Sequence, residues 1–222
     1  MNNLKTLKGV AVLCIALLTS CNQNKGIKAE EVSVLDNIKI ERIRVYNGNK
    51  DSTSLSSYII KEFDSLGTET KSTYYNADDS VMMQFNNEYT NGNKTKINWI
   101  NKTNKLVRYV TMEYDGNGKI IKSESYKPSG DFIEGYMHKW KDNNKIEEKG
   151  PITDSVFKPN SIYTYNQYDE FTSLVEYDEN DSLYGTFTWK YIKLNPDKEW
   201  TERQMYFNDT LVRIEKRYLT YQ

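Results

Sequence analysis

The sequence predicts an all-β fold: an antiparallel meander of about a dozen or more strands, built from two-strand repeats of about 25 residues and bent into a curved sheet or half-barrel. Three observations carry this expectation. From about residue 38 onward, apolar and polar side chains alternate with period two, not 3.6. Turn-forming residues return at intervals of about a dozen. An aromatic residue stands at a fixed offset before most of these turns. Open sheets rarely exceed ~10 strands without curling, which is why curvature is expected.

The elements follow in order. Leu55, Ile59, Phe63 and Leu66 have a spacing that would also suit a short helix ending at Gly67. Strand is preferred, because Phe63-Asp64-Ser65-Leu66-Gly67 has the turn pattern found in the rest of the chain. That pattern opens on Phe63, Tyr75, Tyr89, Tyr114, Tyr126, Trp140, Tyr165 and Tyr177. Four residues after each comes Gly67, Asp79, Asn93, Gly118, Gly130, Asn144, Asp169 or Asp181, the residue types that most readily take a left-handed backbone. Six residues after the aromatic a new strand usually opens with an apolar side chain: Val81, Ile120, Phe132, Ile146, Phe171 and Leu183, with Glu69 and Thr95 as exceptions. Alternation is clearest in Leu106, Arg108, Val110, Met112 and Tyr114, and in Phe132, Glu134, Tyr136, His138 and Trp140. It returns in Leu183, Gly185, Phe187, Trp189 and Tyr191.

Taking every second strand, Phe63, Tyr89, Tyr114, Trp140, Tyr165 and Trp189 are 26, 25, 26, 25 and 24 residues apart. A period in this range marks stacked units, none able to bury its apolar face alone. The pattern loosens near Ile100–Lys105, across Gly150–Pro159 and around Leu194–Lys198. Gly150-Pro151 and Lys158-Pro159 predict a longer connection there, since proline cannot serve a central strand.

Ahead of this region the chain reads as a targeting segment. Lys5 and Lys8 precede an apolar run from Gly9 to Leu18, too short to span a bilayer, and Thr19-Ser20 stand before Cys21. The expected organisation is a signal peptide over residues 1–20, a tether over 21–37 and a single β-repeat domain over 38–222. Leu18-Thr19-Ser20-Cys21 resembles the lipobox of bacterial lipoproteins, which implies lipidation of Cys21 and a membrane partner through that lipid. Asn22 and the lack of an acidic cluster after Cys21 point to the outer membrane, with the domain facing the periplasm.

At Tyr114-Asp115-Gly116-Asn117-Gly118-Lys119-Ile120 and Tyr163-Thr164-Tyr165-Asn166-Gln167-Tyr168-Asp169 the chain resembles tyrosine-aspartate (YD, RHS-like) repeats. More closely it resembles uncharacterised repeat-bearing lipoproteins of Bacteroidota, over roughly Tyr58 to Tyr191. The resemblance implies a β-hairpin array and an envelope location, and it carries over no catalytic residue.

Composition narrows the chemistry. The 222 residues hold one histidine and two cysteines, and have a formal net charge of −1. Cys14 lies in the apolar run and Cys21 is assigned to the lipid, so no thiol is left for a disulfide, metal or nucleophile. Zinc sites of the usual Cys/His kind lack ligands, and no cofactor motif occurs. Without residues 1–20 the balance is 28 basic against 31 acidic, with signs alternating along the chain, so no nucleic-acid face is expected.

His138 stands alone between Tyr136 and Trp140, with no spacing that supplies it a nucleophile. Asp64, Asp78, Asp115, Asp142 and Asp178 sit at turns, where local backbone hydrogen bonds account for them. Eighteen tyrosines, four tryptophans and seven phenylalanines suit a thin core or a binding face for a protein, peptide or glycan, with Trp99, Trp189 and Trp200 as the anchors to examine. The expected function is therefore a non-enzymatic lipoprotein that binds such a partner or acts structurally. The alternative is a small β-sheet hydrolase acting on envelope polysaccharide or peptidoglycan, which needs paired carboxylates, or His138 beside a hydroxyl and a carboxylate.

Overall fold

The computed structural model describes residues 38–48, 54–141, 144–149, 161–166, 170–178, 180 and 182–221. Among the described residues fourteen strands follow one another: β1 (Ile38–Asn47), β2 (Leu55–Phe63), β3 (Glu69–Asn76), β4 (Val81–Thr90), β5 (Asn93–Asn101), β6 (Leu106–Tyr114) and β7 (Ile120–Tyr126). After them come β8 (Phe132–Lys141), β9 (Asn144–Lys149), β10 (Ser161–Tyr165), β11 (Phe171–Tyr177), β12 (Leu183–Leu194), β13 (Trp200–Phe207) and β14 (Thr210–Tyr221). Each pairs antiparallel with the strand before it. The expected all-β meander is the architecture, and its curvature continues until β1 pairs with β14 from Ile38↔Tyr221 to Asn47↔Arg213, closing the sheet. The segment Leu55–Leu66 is strand and turn, not helix.

Odd strands run away from the end where Ile38 lies, and even strands return to it. That end, here proximal, holds both described chain ends and the last residues of the even strands. The last residues of the odd strands lie at the opposite, distal end.

Turn chemistry explains the repeat. The Asp64 N–H donates to the Thr68 carbonyl (3.0 Å), and the Gly67 N–H to the Asp64 carbonyl (3.1 Å). The Asp64 carboxylate accepts from the N–H groups of Leu66 and Thr68. Asp115, Asn101 and Asp178 repeat this arrangement. It is a three-residue hairpin that ends on a left-handed residue, with a bulge at the aromatic, where the ladder shifts register at Phe63, Tyr75, Tyr114, Tyr126, Tyr165 and Tyr177. Gly67, Asp79, Gly118 and Gly130 take φ of 75°, 66°, 75° and 92°, as their spacing predicts.

Two loosened places hold the same turn. Asn104 (φ 58°) and Lys198 (φ 64°) are its left-handed residues, with Ile100 and Leu194 where the aromatic would stand. The β4–β5 connection differs: Asn91 and Gly92 form a two-residue turn, so the left-handed positions precede Asn93. Asn144 opens β9. Asp142, Asp169, Asp181 and residues 150–159 lie outside the described residues, as do Cys21 and everything before Ile38.

Four inward-facing aromatics latch onto the backbone of the unit before them. The hydroxyls of Tyr89, Tyr114 and Tyr191 donate to the carbonyls of Glu69 (2.8 Å), Lys94 (2.7 Å) and Phe171 (2.5 Å), and the Trp140 indole N–H donates to Ile120 (2.8 Å). Each of these bonds spans 20 residues. Tyr191, not Trp189, thus continues the series, and Trp189 lies deeper in the core.

Candidate functional site

Two surfaces could do chemistry or bind: the lumen and the outer wall. Cross-strand register assigns side chains to them, because directly paired residues share a face. In β1, Glu41, Ile43 and Val45 are buried while Ile40, Arg42 and Arg44 are exposed, which fixes the inward parity.

Fourteen strands enclose more width than small side chains can fill, and the lumen is occupied by large ones. Ile43, Ile59, Tyr74, Phe85, Ile97, Met112, Ile120 and Trp200 form one apolar cluster, and Tyr163, Leu174, Trp189 and Met205 a second. Tyr191 packs against both. Trp189 and Trp200 are therefore core, and Trp99 packs on the first cluster with Arg108 stacked on its ring. None of the three indoles is a free binding anchor.

Towards the proximal end the lumen is ionic. Lys61 lies 3.4 Å from Glu69 and 4.0 Å from Glu41, and Arg217 lies 3.2 Å from Glu41 and 3.9 Å from Glu199. Arg203 meets Glu215 at 2.5 Å, and both Arg203 and Arg217 lie over the Trp200 ring. Burial alone would push the Glu215 carboxyl up, but Arg203 and Arg213 outweigh it and hold the group below the usual glutamate range. Glu69 is lowered in the same way, its burial outweighed by Lys61 and Lys94. Glu170 goes the other way: burial dominates over Arg203 and Arg217, and its carboxyl is raised. Apart from Glu170, these charges are matched with one another, which is what lets them be buried at all.

His138 has a partner that its sequence surroundings do not reveal. Its Nε2 lies 3.0 Å from the Ser123 hydroxyl of β7, and both residues are buried in the lumen. Ser123 and His138 are brought together because Ser123 pairs with Tyr136, on the same face of β8 as His138. The backbone neighbour of His138 on β9 is Glu147. A hydroxyl and an imidazole are thus in reach, but at 1% and 3% exposure neither faces solvent. Ser123 also lies inside a regular strand, not on the exposed turn that presents a nucleophile. Asp64, Asp78, Asp115 and Asp178 accept hydrogen bonds within their own turns, as their positions predict.

The outer wall is polar midway along the strands, with Arg42, Arg44, Gln84, Asn86, Lys96, Asn98, Lys122, Lys190, Gln204 and Lys216 on the outward parity. Arg or Lys at a bilayer midplane costs ~2–4 kcal/mol each on a barrel's lipid face, so this wall does not suit a membrane-spanning band. Its distal third is different. Tyr58 stacks on Tyr75 at 4.7 Å, Tyr109 on Tyr126 at 5.2 Å, and Phe132 meets the Tyr126 edge at 5.9 Å. Met82, Val107 and Ile133 are exposed beside them, and Leu183 and Tyr184 are exposed at the distal end of β12. These aromatic patches are the groups best placed to contact a partner. Sequence alone does not group them, because only Tyr75 and Tyr126 belong to the turn pattern and their partners Tyr58 and Tyr109 are brought beside them by cross-strand register.

No protein-family model and no curated protein matches the chain. Among solved structures it is similar to a porin-like protein from Bacteroides uniformis, with TM-score 0.52 and 11% identity over 82% of this chain and 98% of that one. A DUF1329 family protein from Desulfovibrio piger (TM-score 0.31, 10% identity, 85% and 88% covered) and a LolA superfamily protein from Nitrosomonas europaea (0.29, 11%, 86% and 88%) fall below the similarity that defines a shared architecture. The likeness to the Bacteroides uniformis protein is one of fold.

Proposed function

We propose that this chain is a non-catalytic lipoprotein of the bacterial cell envelope, anchored to the outer membrane through Cys21 and facing the periplasm, that binds a protein, peptide or glycan partner on its barrel wall. The observation that carries the binding role is the set of distal aromatic patches, Tyr58–Tyr75 and Tyr109–Tyr126–Phe132, with exposed Val107 and Ile133 next to them. Stacked tyrosines present apolar faces and hydroxyl rims at low entropic cost, which suits sugar rings and peptide side chains alike. The lipobox-like Leu18-Thr19-Ser20-Cys21 supports the anchor, and the repeat pattern supports kinship with YD-like hairpin arrays. The test places a photo-crosslinking residue at Val107 or Ile133 in cells that make the protein. Partner adducts at these positions, absent from a control at Lys139, are expected. Adducts at none of the distal positions would refute the binding face.

One observation favours the hydrolase alternative: the Ser123–His138 hydrogen bond. On that reading Ser123→Ala abolishes turnover of peptidoglycan or envelope polysaccharide by a folded protein. On the binding reading no such turnover exists to lose.

A further inference from the structure

We infer that the proximal part of the β12–β2 wall rests on the membrane surface that receives the Cys21 lipid, so that the barrel is held against the bilayer by its wall as well as by its anchor. This rests on the anchor reading above. Strands β12, β13, β14, β1 and β2 are consecutive around the barrel. Their proximal ends carry Ile192, Leu194, Tyr218 and Ile40, all exposed, and the adjoining β2–β3 turn carries Leu66, 79% exposed at its tip. The described turn tips at Asn91-Gly92, Gly116-Asn117 and Asn208-Asp209 are polar by contrast.

The charges around the patch are positive in excess. Arg42 and Arg44 point outward beside it and pair with no carboxylate among the described residues, lying instead over the rings of Tyr58 and Tyr218. Lys216, paired in register with Arg44, likewise lies over Tyr46. The glutamates of this wall are already engaged, Glu62 with Lys71 at 2.8 Å and Glu202 with Lys193 at 2.9 Å, while Asp64 in the β2–β3 turn and Asp197 in the β12–β13 turn add two negative charges and Lys198 one positive, which leaves Arg42, Arg44 and Lys216 in excess. An apolar strip with unpaired cations along it matches acyl chains beneath a layer of anionic headgroups.

Position selects this occupant over another protein. Ile38 begins β1 at the edge of the patch, and residues 22–37 reach at most roughly 55 Å when fully extended. The anchored leaflet is therefore within reach of this wall. The Tyr109–Tyr126–Phe132 patch, on β6–β8, then faces away from the membrane.

The test uses unacylated chain 22–222 and vesicles of phosphatidylethanolamine with or without 30% phosphatidylglycerol. Co-sedimentation with the anionic vesicles is expected, weakening at 0.5 M NaCl. Leu66→Ser/Leu194→Ser should weaken it at least tenfold, and Arg42→Gln/Arg44→Gln should remove the preference for anionic lipid. Val107→Ser/Ile133→Ser, on the distal wall, should bind as the parent does. All six positions are at the surface, and melting curves confirm folding. Absence of vesicle binding, or equal loss in the distal variant, would overturn the inference. So would a dimer in light scattering that Leu66→Ser/Leu194→Ser converts to monomer, because a second copy would then be the occupant. Palmitate labelling at Cys21 is scored separately: label without vesicle binding leaves the anchor standing and removes the wall contact, and the reverse removes the anchor alone.

Discussion

Gly185 in β12 has the aromatic ring of Phe207 where a side chain would begin. A Cβ built on Gly185 would lie 2.6 Å from the ring Cζ and closer still to Cε2, with the Asn208 side-chain oxygen at 3.4 Å. Phe207 cannot swing away freely, since its ring packs against Phe187 at 4.7 Å and Tyr184 at 6.1 Å. Gly185→Ala should therefore overpack this corner and cost about 1–3 kcal/mol, which in a domain of this size lowers Tm by roughly 2–4 °C per kcal/mol. Gly135 provides the control: its nearest contacts are the Phe132 and Glu124 side chains at 3.4 and 3.5 Å, and alanine there should shift Tm by less. The assay is thermal and urea unfolding of both alanine variants, of Phe207→Leu, and of Gly185→Ala/Phe207→Leu. If the clash is the cause, the double variant is more stable than the sum of its parts predicts, with a coupling of ~0.5–3 kcal/mol. Additive losses, or a Gly185→Ala protein that melts like the parent, would refute the packing described for this corner.

The lumen charges predict opposite pH effects. Glu215 and Glu69 have lowered folded values, so their contribution is present above the unfolded glutamate value and is lost as pH falls through the folded one. Melting profiles from pH 7 to 3 should show this loss, reduced in slope in Glu215→Gln even though that variant starts less stable. Glu170 has a raised folded value, so its buried charge opposes folding at neutral pH, and protonation relieves the cost as pH falls through that value. Glu170→Gln should thus raise Tm at pH 7 and make no difference in acid. Lys198 holds a left-handed φ of 64° at the β12–β13 turn, and Lys198→Gly should stabilise by up to ~1 kcal/mol in urea titrations. Tyr114→Phe removes the 2.7 Å bond to the Lys94 carbonyl and should cost ~0.5–1.5 kcal/mol on the same assay.

Turn chemistry was the legible part of this fold. Phe63-to-Gly67 and Tyr114-to-Gly118 encode a hairpin locally, because an Asp after the aromatic and a left-handed residue three further on act through neighbouring backbone. Ile100-to-Asn104 and Leu194-to-Lys198 escaped because the turn needs the Asn at its start and the left-handed residue at its end, not the aromatic. Closure was not legible, since nothing near Ile38 or Tyr221 names the other as partner. Neither was the ionic lumen. Lys61, Lys94, Arg203 and Arg217 look like surface residues until the register puts them on the inward face. Ser123 meets His138 only through pairing of β7 with β8, and the distal aromatic patches emerge only once the strands are aligned around the barrel.

The β1–β14 seam has a consequence for how the protein comes into being. The Arg217–Glu41 contact joins residues 176 positions apart, so β1 has no partner on one side until the last strand is available. During synthesis β1 is an open edge with unpaired N–H and C=O groups, the kind of template that recruits strands from other molecules. Hairpins β2–β3 through β12–β13 can zip up by local contacts, whereas the seam waits on the slowest, longest-range pairing in the molecule. Loss of β14 would therefore expose two edges at once, and a truncated chain should aggregate instead of folding to a smaller barrel. The same adjacency of Ile38 and Tyr221 makes the chain suited to circular permutation: joining these ends and opening the exposed Asn91-Gly92 turn would turn the seam into a hairpin and its closure into a local event.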